Sequence, residues 1–327
     1  MASQRIACIL AILAFWGLHA SAVAAEDTTA WPSKPVRMIV ASDAGSGSDI
    51  AGRLVANYLS IALGQPVVVE SVGGAGGSIA AARVARSAPD GYTVLSSSPG
   101  ATVLYPILRA DLTYKGSDLA PVGQINESVN IIAVNPSSAA KTLLDFIQLL
   151  KQNPGKFNYG SSGIGNLNHL QTVLFLLRTN TSMVHVPFGG GAGSIASLMS
   201  GQIQFNLVNT TGGLSYLTAG TLRPLAVIAK SRIPELPEVP AIQEIVPNME
   251  INTVWQGNFV PRGTPKPIID KLSAAMAAYL HSADGVAQMK KIGSTAIGST
   301  PDEYGKIIQQ DTATWTEVIR RTGIKTE

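Results

Sequence analysis

The sequence predicts an α/β protein of two lobes with a ligand cleft between them. The chain has 327 residues, which is enough for about two domains. Its first third alternates apolar β-runs with helical patterns, which is typical of a parallel sheet covered by helices. A unit of strand, glycine-rich loop and helix begins at Val36, and a second such unit begins at Phe157. Ligands in such folds bind outside the carboxyl ends of the strands, so we expect the site between the two units.

The first third contains three predicted strands and two predicted helices. Apolar residues at i, i+3 and i+4 spacing between Ile50 and Leu59 indicate the first helix. The predicted strands cover residues 36–40, 66–70 and 92–96, and the second predicted helix covers 78–86. The segment 99–117 contains Pro106 and shows no clear period, so we predict an irregular connection there.

The rest of the chain continues the α/β pattern and ends in helices. Further strands are predicted at 122–125, 130–134, 157–159, 183–186, 203–207, 222–229 and 258–260. Further helices are predicted at 143–150, 170–178, 195–199, 214–218, 265–281, 285–291 and 302–321. Pro265 is expected at the first helical position, where proline is favoured. We predict lobe one over 30–127 plus 230–327 and lobe two over 128–229, with hinges where the chain crosses between them.

The N-terminus has the pattern of a secretory signal peptide. A short positive region ending at Arg5 precedes an apolar stretch over 6–18, and Ala22-Val23-Ala24 is a small-residue cleavage site. We therefore predict a signal peptide over 1–24, cleavage near Ala24 and a periplasmic location. Cys8, the single cysteine, lies in this segment, so the mature chain would contain none. Such a chain suits an oxidising compartment, and it has no thiol for catalysis or disulfides.

The composition indicates a globular protein without a strongly charged partner. Hydrophobic residues make up 46% of the chain and charged residues only 14%, which excludes intrinsic disorder. The formal net charge of +3 is small and evenly spread. We therefore expect no nucleic-acid partner and no binding to an anionic membrane surface. We also expect a monomer.

Two glycine-rich loops are candidate anion sites. The first runs from Ala41 to Asp49 and consists almost entirely of small residues, which let the backbone approach a ligand closely. It ends at a predicted helix N-terminus, where unpaired N–H groups and the helix dipole favour an anion. The alternative is an ordinary turn with Ser48 or Asp49 as the N-cap. The second loop, from Ser161 to His169, repeats the design.

Sequence motifs for catalysis are missing. The chain contains no nucleophile elbow, no Walker A loop, no complete G-x-G-x-x-G and no H-E-x-x-H. The mature histidines, His169, His185 and His281, lack metal-ligand spacing, so we expect neither a metal nor a cofactor. A Ser/His/Asp triad could still assemble in three dimensions. An exported hydrolase therefore remains the alternative to a binding protein.

An ordered set of short motifs resembles the Bug family, the periplasmic solute receptors of tripartite tricarboxylate transporters. The set spans essentially the whole mature chain, and each motif is weak by itself. Its members include WPSKPV at 31–36, GSGSD at 45–49, LGQPVVVE at 63–70, APDGYT at 88–93, PGKFNYGSSG at 154–163, VHVPF at 184–188 and PRGTP at 261–265.

The resemblance implies a two-lobed periplasmic-binding-protein (Venus flytrap) fold that captures a small carboxylate-bearing solute without chemistry. It also implies delivery of that solute to a membrane permease; a receptor that signals to a sensor partner would use the same site. In such receptors, backbone amides and hydroxyls of two loops hold the carboxylate. Carried over to this chain, the ligand-binding residues are Ser42, Asp43, Ala44, Gly45, Ser46, Gly47, Ser48, Asp49, Ser161, Ser162, Gly163, Gly165, Asn166, His169, Phe188 and Asn209.

Asp43 departs from the family pattern, in which the first loop begins with proline, an aromatic residue and a small apolar residue. An acidic side chain beside a carboxylate site is unfavourable without a partner. One hypothesis is that Asp43 faces the cleft and pairs with an ammonium, N–H or hydroxyl of the solute. The alternative is that it points to solvent or caps the helix. Asp49 is expected to cap the helix and order the loop, and Phe188 and Trp255 are expected in the wall or core.

The role of His169 stays open at this stage. Its imidazole either points at the ligand or bonds a backbone carbonyl.

Overall fold

The computed structural model describes residues 31–251 and 253–323, so the predicted signal peptide over 1–24 lies outside the described residues. The strands are β1 (Val36–Val40), β2 (Val67–Ser71), β3 (Thr93–Ser97), β4 (Leu119–Ser128), β5 (Asn130–Val134), β6 (Asn158–Ser161), β7 (Val184–Pro187), β8 (Phe205–Asn209), β9 (Arg223–Val227), β10 (Val254–Pro261) and β11 (Thr295–Ala296). The α-helices are α1 (Gly47–Leu63), α2 (Ser78–Ala85), α3 (Tyr105–Leu108), α4 (Leu143–Gln152), α5 (Leu167–Thr179), α6 (Gly191–Met199), α7 (Thr210–Thr218), α8 (Lys266–Leu280), α9 (Ala283–Lys291) and α10 (Pro301–Thr322). Within this part of the chain, no helix is both long and apolar enough to cross a membrane.

The strands form two sheets, and each sheet with its helices makes one lobe. In the first lobe the strand order is β11-β4-β10-β3-β1-β2. The strands β1, β2 and β3 are parallel, as the β-α-β-α-β pattern predicts, whereas β10 runs antiparallel between β3 and β4. In the second lobe the order is β7-β6-β8-β5-β9, with β6 parallel to β7 and β8. This arrangement confirms the predicted two-lobed α/β class.

Helix α1 shows how the local sequence builds the site. Ser46 is its N-cap and its hydroxyl accepts the Asp49 N–H at 3.2 Å, while Gly64 ends it in the left-handed conformation at φ 67°. The apolar stripe that predicts the helix faces inward: Ala51, Val55 and Leu59 are fully buried. The N-terminus of α1 is thus held at the carboxyl end of β1.

Three details of the predicted elements are wrong. Segment 99–117 is not irregular throughout: a π-helical turn (Gly100–Leu104) continues into α3, and Pro106 is the second residue of α3. Pro265 is the N-cap of α8 rather than its first residue, and a second proline follows inside that first turn. The short strand β11 has no counterpart among the predicted elements, because two residues carry no periodicity.

The numerical boundaries of the lobes stay a prediction. The chain passes from β4 in the first sheet to β5 in the second through Val129. After β9, Ala241 pairs with Val227 and Glu250 bonds Arg178 of α5, so this stretch packs on the second lobe. These contacts favour a return to the first lobe after Glu250, later than the predicted Lys230.

Candidate functional site

The candidate site is a cavity of about 650 Å³ between the two lobes. It lies where the carboxyl ends of β2 and β6 meet loops of the opposite lobe, as expected for an α/β fold. The first lobe contributes Ala75, Gly76, Tyr105, Arg109 and Asp111 to its wall. The second lobe contributes Ser162, Gly163, Ile164, Phe188 and Gly189.

The first glycine-rich loop is ordered by a buried carboxylate. Asp49 is 2% exposed and accepts hydrogen bonds from the Gly45 N–H at 2.9 Å, the Ser71 hydroxyl at 2.6 Å and the Arg53 guanidinium at 2.9 Å. Burial by itself would raise the pKa of Asp49, but these bonds lower it below its ordinary value. Asp49 therefore holds the loop rather than facing a solute, and the N-cap is Ser46, so the predicted cap at Ser48 or Asp49 is wrong.

The second loop is ordered in the same way by its own side chains. Asn166 caps α5, accepting the His169 N–H at 3.0 Å, and it donates to the Ser162 hydroxyl at 2.7 Å. The imidazole of His169 accepts the Gly165 N–H at its Nδ1, at 3.0 Å. Its Nδ1 thus bonds an amide of the loop and not a backbone carbonyl, and contact of the ring with the ligand stays a prediction.

Behind the second loop lies a buried aromatic stack of Tyr159, His185 and His169. The two imidazoles stack with ring centroids 4.1 Å apart, and His185 stacks on Tyr159 at 4.8 Å. Burial, with a smaller contribution from His185, lowers the pKa of His169 to about 4, and burial lowers that of His185 to about 4. Both rings are neutral at pH 7 and serve as packing groups with one hydrogen-bonding edge.

Ser161 and His185 form a hydrogen-bonded pair, with 2.7 Å between the hydroxyl and Nε2. Ser161 is fully buried, and its hydroxyl also donates to the Gly163 carbonyl at 3.0 Å. No acidic side chain hydrogen-bonds His185 among the described residues. The pair therefore supports the loop, since a nucleophile must be open to its substrate and its base needs an orienting group.

Several polar side chains of the two loops, among them Ser46, Asp49 and Asn166, bond within the protein, and backbone amides at the two helix N-termini remain as donors. The first-turn amides of Gly47 and Ser48 in α1 donate to no side chain or loop carbonyl within the described part of the chain, and those of Leu167 and Asn168 in α5 behave alike. Each of these two helix N-termini meets the opposite lobe. A Cβ on Gly47 would lie 2.5 Å from the Thr211 carbonyl oxygen, and one on Gly100 would lie 3.9 Å from Asn166 Cβ.

The predicted ligand-binding residues occupy different places around this cleft. Ser162, Gly163 and Phe188 line the cavity, and the first loop adjoins it through Asp43, which lies beside Gly189. The side chain of Asn209 lies at the crossing between the lobes. There it bonds the Thr211 amide, the Ser128 hydroxyl, the Val129 carbonyl and Asn130. Trp255 is in the core of the first lobe, 1% exposed.

Tyr105, Arg109 and Asp111 line the cavity, but the sequence did not indicate them. They follow the π-helical turn in a segment without periodicity, so no local pattern marks them. The Tyr105 hydroxyl donates to the Ile164 carbonyl of the second lobe, and burial raises the pKa of Tyr105 while Arg109 opposes the shift. The Arg109 guanidinium makes two hydrogen bonds to Asp111, at 3.0 and 2.7 Å. No group of three or more potential metal ligands occurs among the described residues.

Comparisons with known proteins agree with this geometry. A family model described as "Tripartite tricarboxylate transporter family receptor" matches residues 51–324. The protein BugT of Bordetella pertussis is 31% identical over 319 residues, covering 97% of this chain and 98% of BugT. These matches confirm the resemblance drawn from the motifs.

Solved structures give the same result for the fold. The chain is similar to an R. palustris protein with adipate (32% identity, TM-score 0.86, covering 90% and 99% of the two chains). It is similar to the periplasmic binding protein BugD (28%, 0.85, 91% and 100%) and to MatC of Rhodopseudomonas palustris with bound malate (26%, 0.83, 88% and 100%). The similarity to these chains over nearly their full length confirms the predicted periplasmic-binding-protein fold.

Proposed function

We propose, from the premise that this chain belongs to the tripartite tricarboxylate transporter receptor family, that it captures a small carboxylate-bearing solute between its lobes. The observation that carries this proposal is the pair of helix N-termini of α1 and α5, which each contact the opposite lobe and whose first-turn amides have no acceptor among the described residues. Helix N-termini attract anions through aligned N–H groups and the positive end of the helix dipole. Two of them from opposite lobes can bind one carboxylate only when the lobes are together.

The related structures support a carboxylate as the solute. One similar R. palustris protein holds adipate and MatC holds malate, and both ligands are dicarboxylates. In this chain Arg109 is the guanidinium in the cavity wall and is bonded to Asp111. Backbone amides and the Ser162 hydroxyl, which only accepts a hydrogen bond within the protein, therefore remain available donors for the anion.

Capture would proceed by closure of the lobes around the solute. Bonds such as that from Tyr105 to the Ile164 carbonyl form only when the lobes are together. A solute that touches both lobes binds the closed form better, and so shifts an existing equilibrium toward it. We propose that the signal peptide over 1–24 directs export to the periplasm. There the closed receptor would deliver the solute to a permease in the membrane.

An enzymatic function is disfavoured by the site. The buried Ser161–His185 pair is the nearest approach to a nucleophile and base, and Ser161 is fully enclosed. A hydrolase would turn over esters or amides of the acids that bind, whereas the receptor would leave them unchanged. Signalling to a sensor partner uses the same capture step and differs only in what receives the closed form.

A thermal-unfolding screen of the mature protein tests the proposal. The ligands are small monocarboxylic, dicarboxylic, tricarboxylic, aromatic and amino acids, each beside its uncharged primary amide as a control. A ligand at a hundredfold excess over Kd stabilises the native state by about 2.7 kcal/mol. We expect stabilisation by one class of acid and none by the matching amides. Equal stabilisation by the acids and their amides would contradict the proposal. So would the absence of stabilisation by every acid tested.

A further inference from the structure

Asp43 reaches across the cleft from the first lobe to the second. A Cβ on Gly73 would lie 1.7 Å from Asp43 Oδ1, and a Cβ on Gly190 would lie 2.5 Å from Oδ2. Gly73 follows β2 in the first lobe, whereas Gly190 is the N-cap of α6 in the second. The carboxylate thus packs against glycine backbone on both sides of the cleft, where the Cβ of any other residue would collide with it.

The same carboxylate borders the cavity. Gly189 lines the cavity, and a Cβ on it would lie 4.0 Å from Asp43 Oδ2. The side chain does not cap α1, because Ser46 is the N-cap, and it is exposed to solvent. Helix capping is therefore excluded, while exposure to solvent, the other part of that alternative, agrees with the structure.

The charge of Asp43 has no partner in the part of the chain that the structure describes. Its side chain makes no hydrogen bond and no ion pair with any residue in the described ranges. The guanidinium of Arg109, in the cavity wall, is paired with Asp111. A solute that fills the cavity as far as Gly189 would displace water from this carboxylate, and a carboxylate that loses water needs a donor in its place.

We propose that Asp43 selects solutes that carry a hydrogen-bond donor, above all an ammonium, at the end opposite their carboxylate. A second carboxylate at this edge would face the charge of Asp43 and be rejected. The helix N-termini would take the anionic end of the solute, so the site would favour zwitterions over dicarboxylates. This inference rests on the proposed function and narrows its substrate class.

Compounds that differ only at the end opposite the carboxylate test the role of that end. For each chain length of about three to six carbons, titration calorimetry compares an ω-amino acid, the unsubstituted monoacid and the α,ω-diacid. We expect the wild-type mature protein to bind the best ω-amino acid at least about tenfold more tightly than the diacid of that length. Asp43→Asn should reduce this ratio about tenfold or more, a change of about 1.4 kcal/mol. Affinity for the monoacid should not fall, because the monoacid offers Asp43 no donor.

Two glycine variants test whether the position of the Asp43 carboxylate matters. Gly190→Ala adds a Cβ that displaces the Asp43 carboxylate, and its φ of −174° is open to any residue, so we expect the ratio to fall as in Asp43→Asn. Gly191→Ala adds a Cβ with nothing within 4 Å and should leave the ratio unchanged. Thermal unfolding without ligand checks that all three variants are folded.

The outcomes distinguish this inference from the proposed function. Binding of acids with no preference for the amino group, or a ratio that Asp43→Asn leaves unchanged, overturns the role of Asp43 and leaves the carboxylate receptor intact. Failure of every acid to bind overturns both.

Discussion

The buried carboxylate of Asp49 orders the first loop by accepting hydrogen bonds. Three donors from Gly45, Arg53 and Ser71 converge on its carboxylate, which is why its pKa stays below the ordinary value despite burial. Removing the charge leaves those donors without an acceptor, and an unsatisfied buried group costs more than the bond contributes.

Asp49→Asn should therefore lower the free energy of unfolding by about 2 kcal/mol, measured by urea denaturation at pH 7. Asp270→Asn is the matched control, because Asp270 also pairs with a cation four residues away, Lys266, but on the surface. We expect that change to cost less than about 0.5 kcal/mol. Equal losses in the two variants would show that Asp49 does not order the loop.

His169 and His185 make the second loop sensitive to acid. Burial lowers the pKa of each ring to about 4, below the 6.5 of a free imidazole. The native state thus favours the neutral rings, and their contribution to stability is complete above pH 6.5 and is lost as the pH falls toward 4.

We expect the free energy of unfolding to decrease between pH 6.5 and pH 4, by on the order of 3 kcal/mol per imidazole at the lower limit. Proton NMR titration of the ring signals should show both histidines neutral at pH 5.5. Titration of His169 near 6.5 would contradict the burial argument.

At the scale of elements, the contact between α1 and α7 brings the lobes together at the first loop. Gly47 is the first residue of α1, and a Cβ there would lie 2.5 Å from the Thr211 carbonyl oxygen and 2.8 Å from Thr211 Cγ2. Both distances are too short for a real side chain, so the two elements can approach this closely only because position 47 is glycine.

Gly47→Ala should force α1 away from Thr211, destabilising the protein by about 1–3 kcal/mol and weakening solute binding. Gly305→Ala is the control: it lies inside α10, and its Cβ would meet only Pro121 at 3.8 Å. That substitution should stabilise the protein by about 0.5–1 kcal/mol through helix propensity. Thermal unfolding and calorimetry of both variants measure the difference, and stabilisation by both would contradict the contact.

At the scale of the whole molecule, the bond from Tyr105 to the Ile164 carbonyl connects the lobes across the cavity. Such a bond stabilises the closed form alone, so it acts on every solute equally. Asp43, in contrast, is proposed to act on one end of the solute. Variants of Tyr105 and Asp43 can therefore distinguish an effect on lobe closure from an effect on the choice of solute.

Tyr105→Phe should lower the affinity for every solute by about fivefold, corresponding to about 1 kcal/mol, without changing their relative affinities. Tyr114→Phe is the control, since the Tyr114 hydroxyl donates to the Ala101 carbonyl within the first lobe. It should lower stability and leave affinity unchanged. Calorimetry on both variants checks this, and identical affinities for Tyr105→Phe and the wild type would disprove a role in closure.

The sequence by itself determined the α/β class, most of the elements and the two loops that open α1 and α5. These features depend on local period, glycine content and capping residues, all of which are visible within about ten neighbouring positions. The ordered motifs likewise indicated the receptor family before any contact was known.

Only the tertiary structure decided which groups of those loops are available. The side chains of Ser46, Asp49 and Ser161 bond within the protein, so most of the candidate donors are amides, which no side-chain pattern reveals. Tyr105 and Asp43 meet the opposite lobe through residues some 59 and 147 positions away in the chain. Contacts of that separation depend on how two sheets face each other, and no local pattern contains that information.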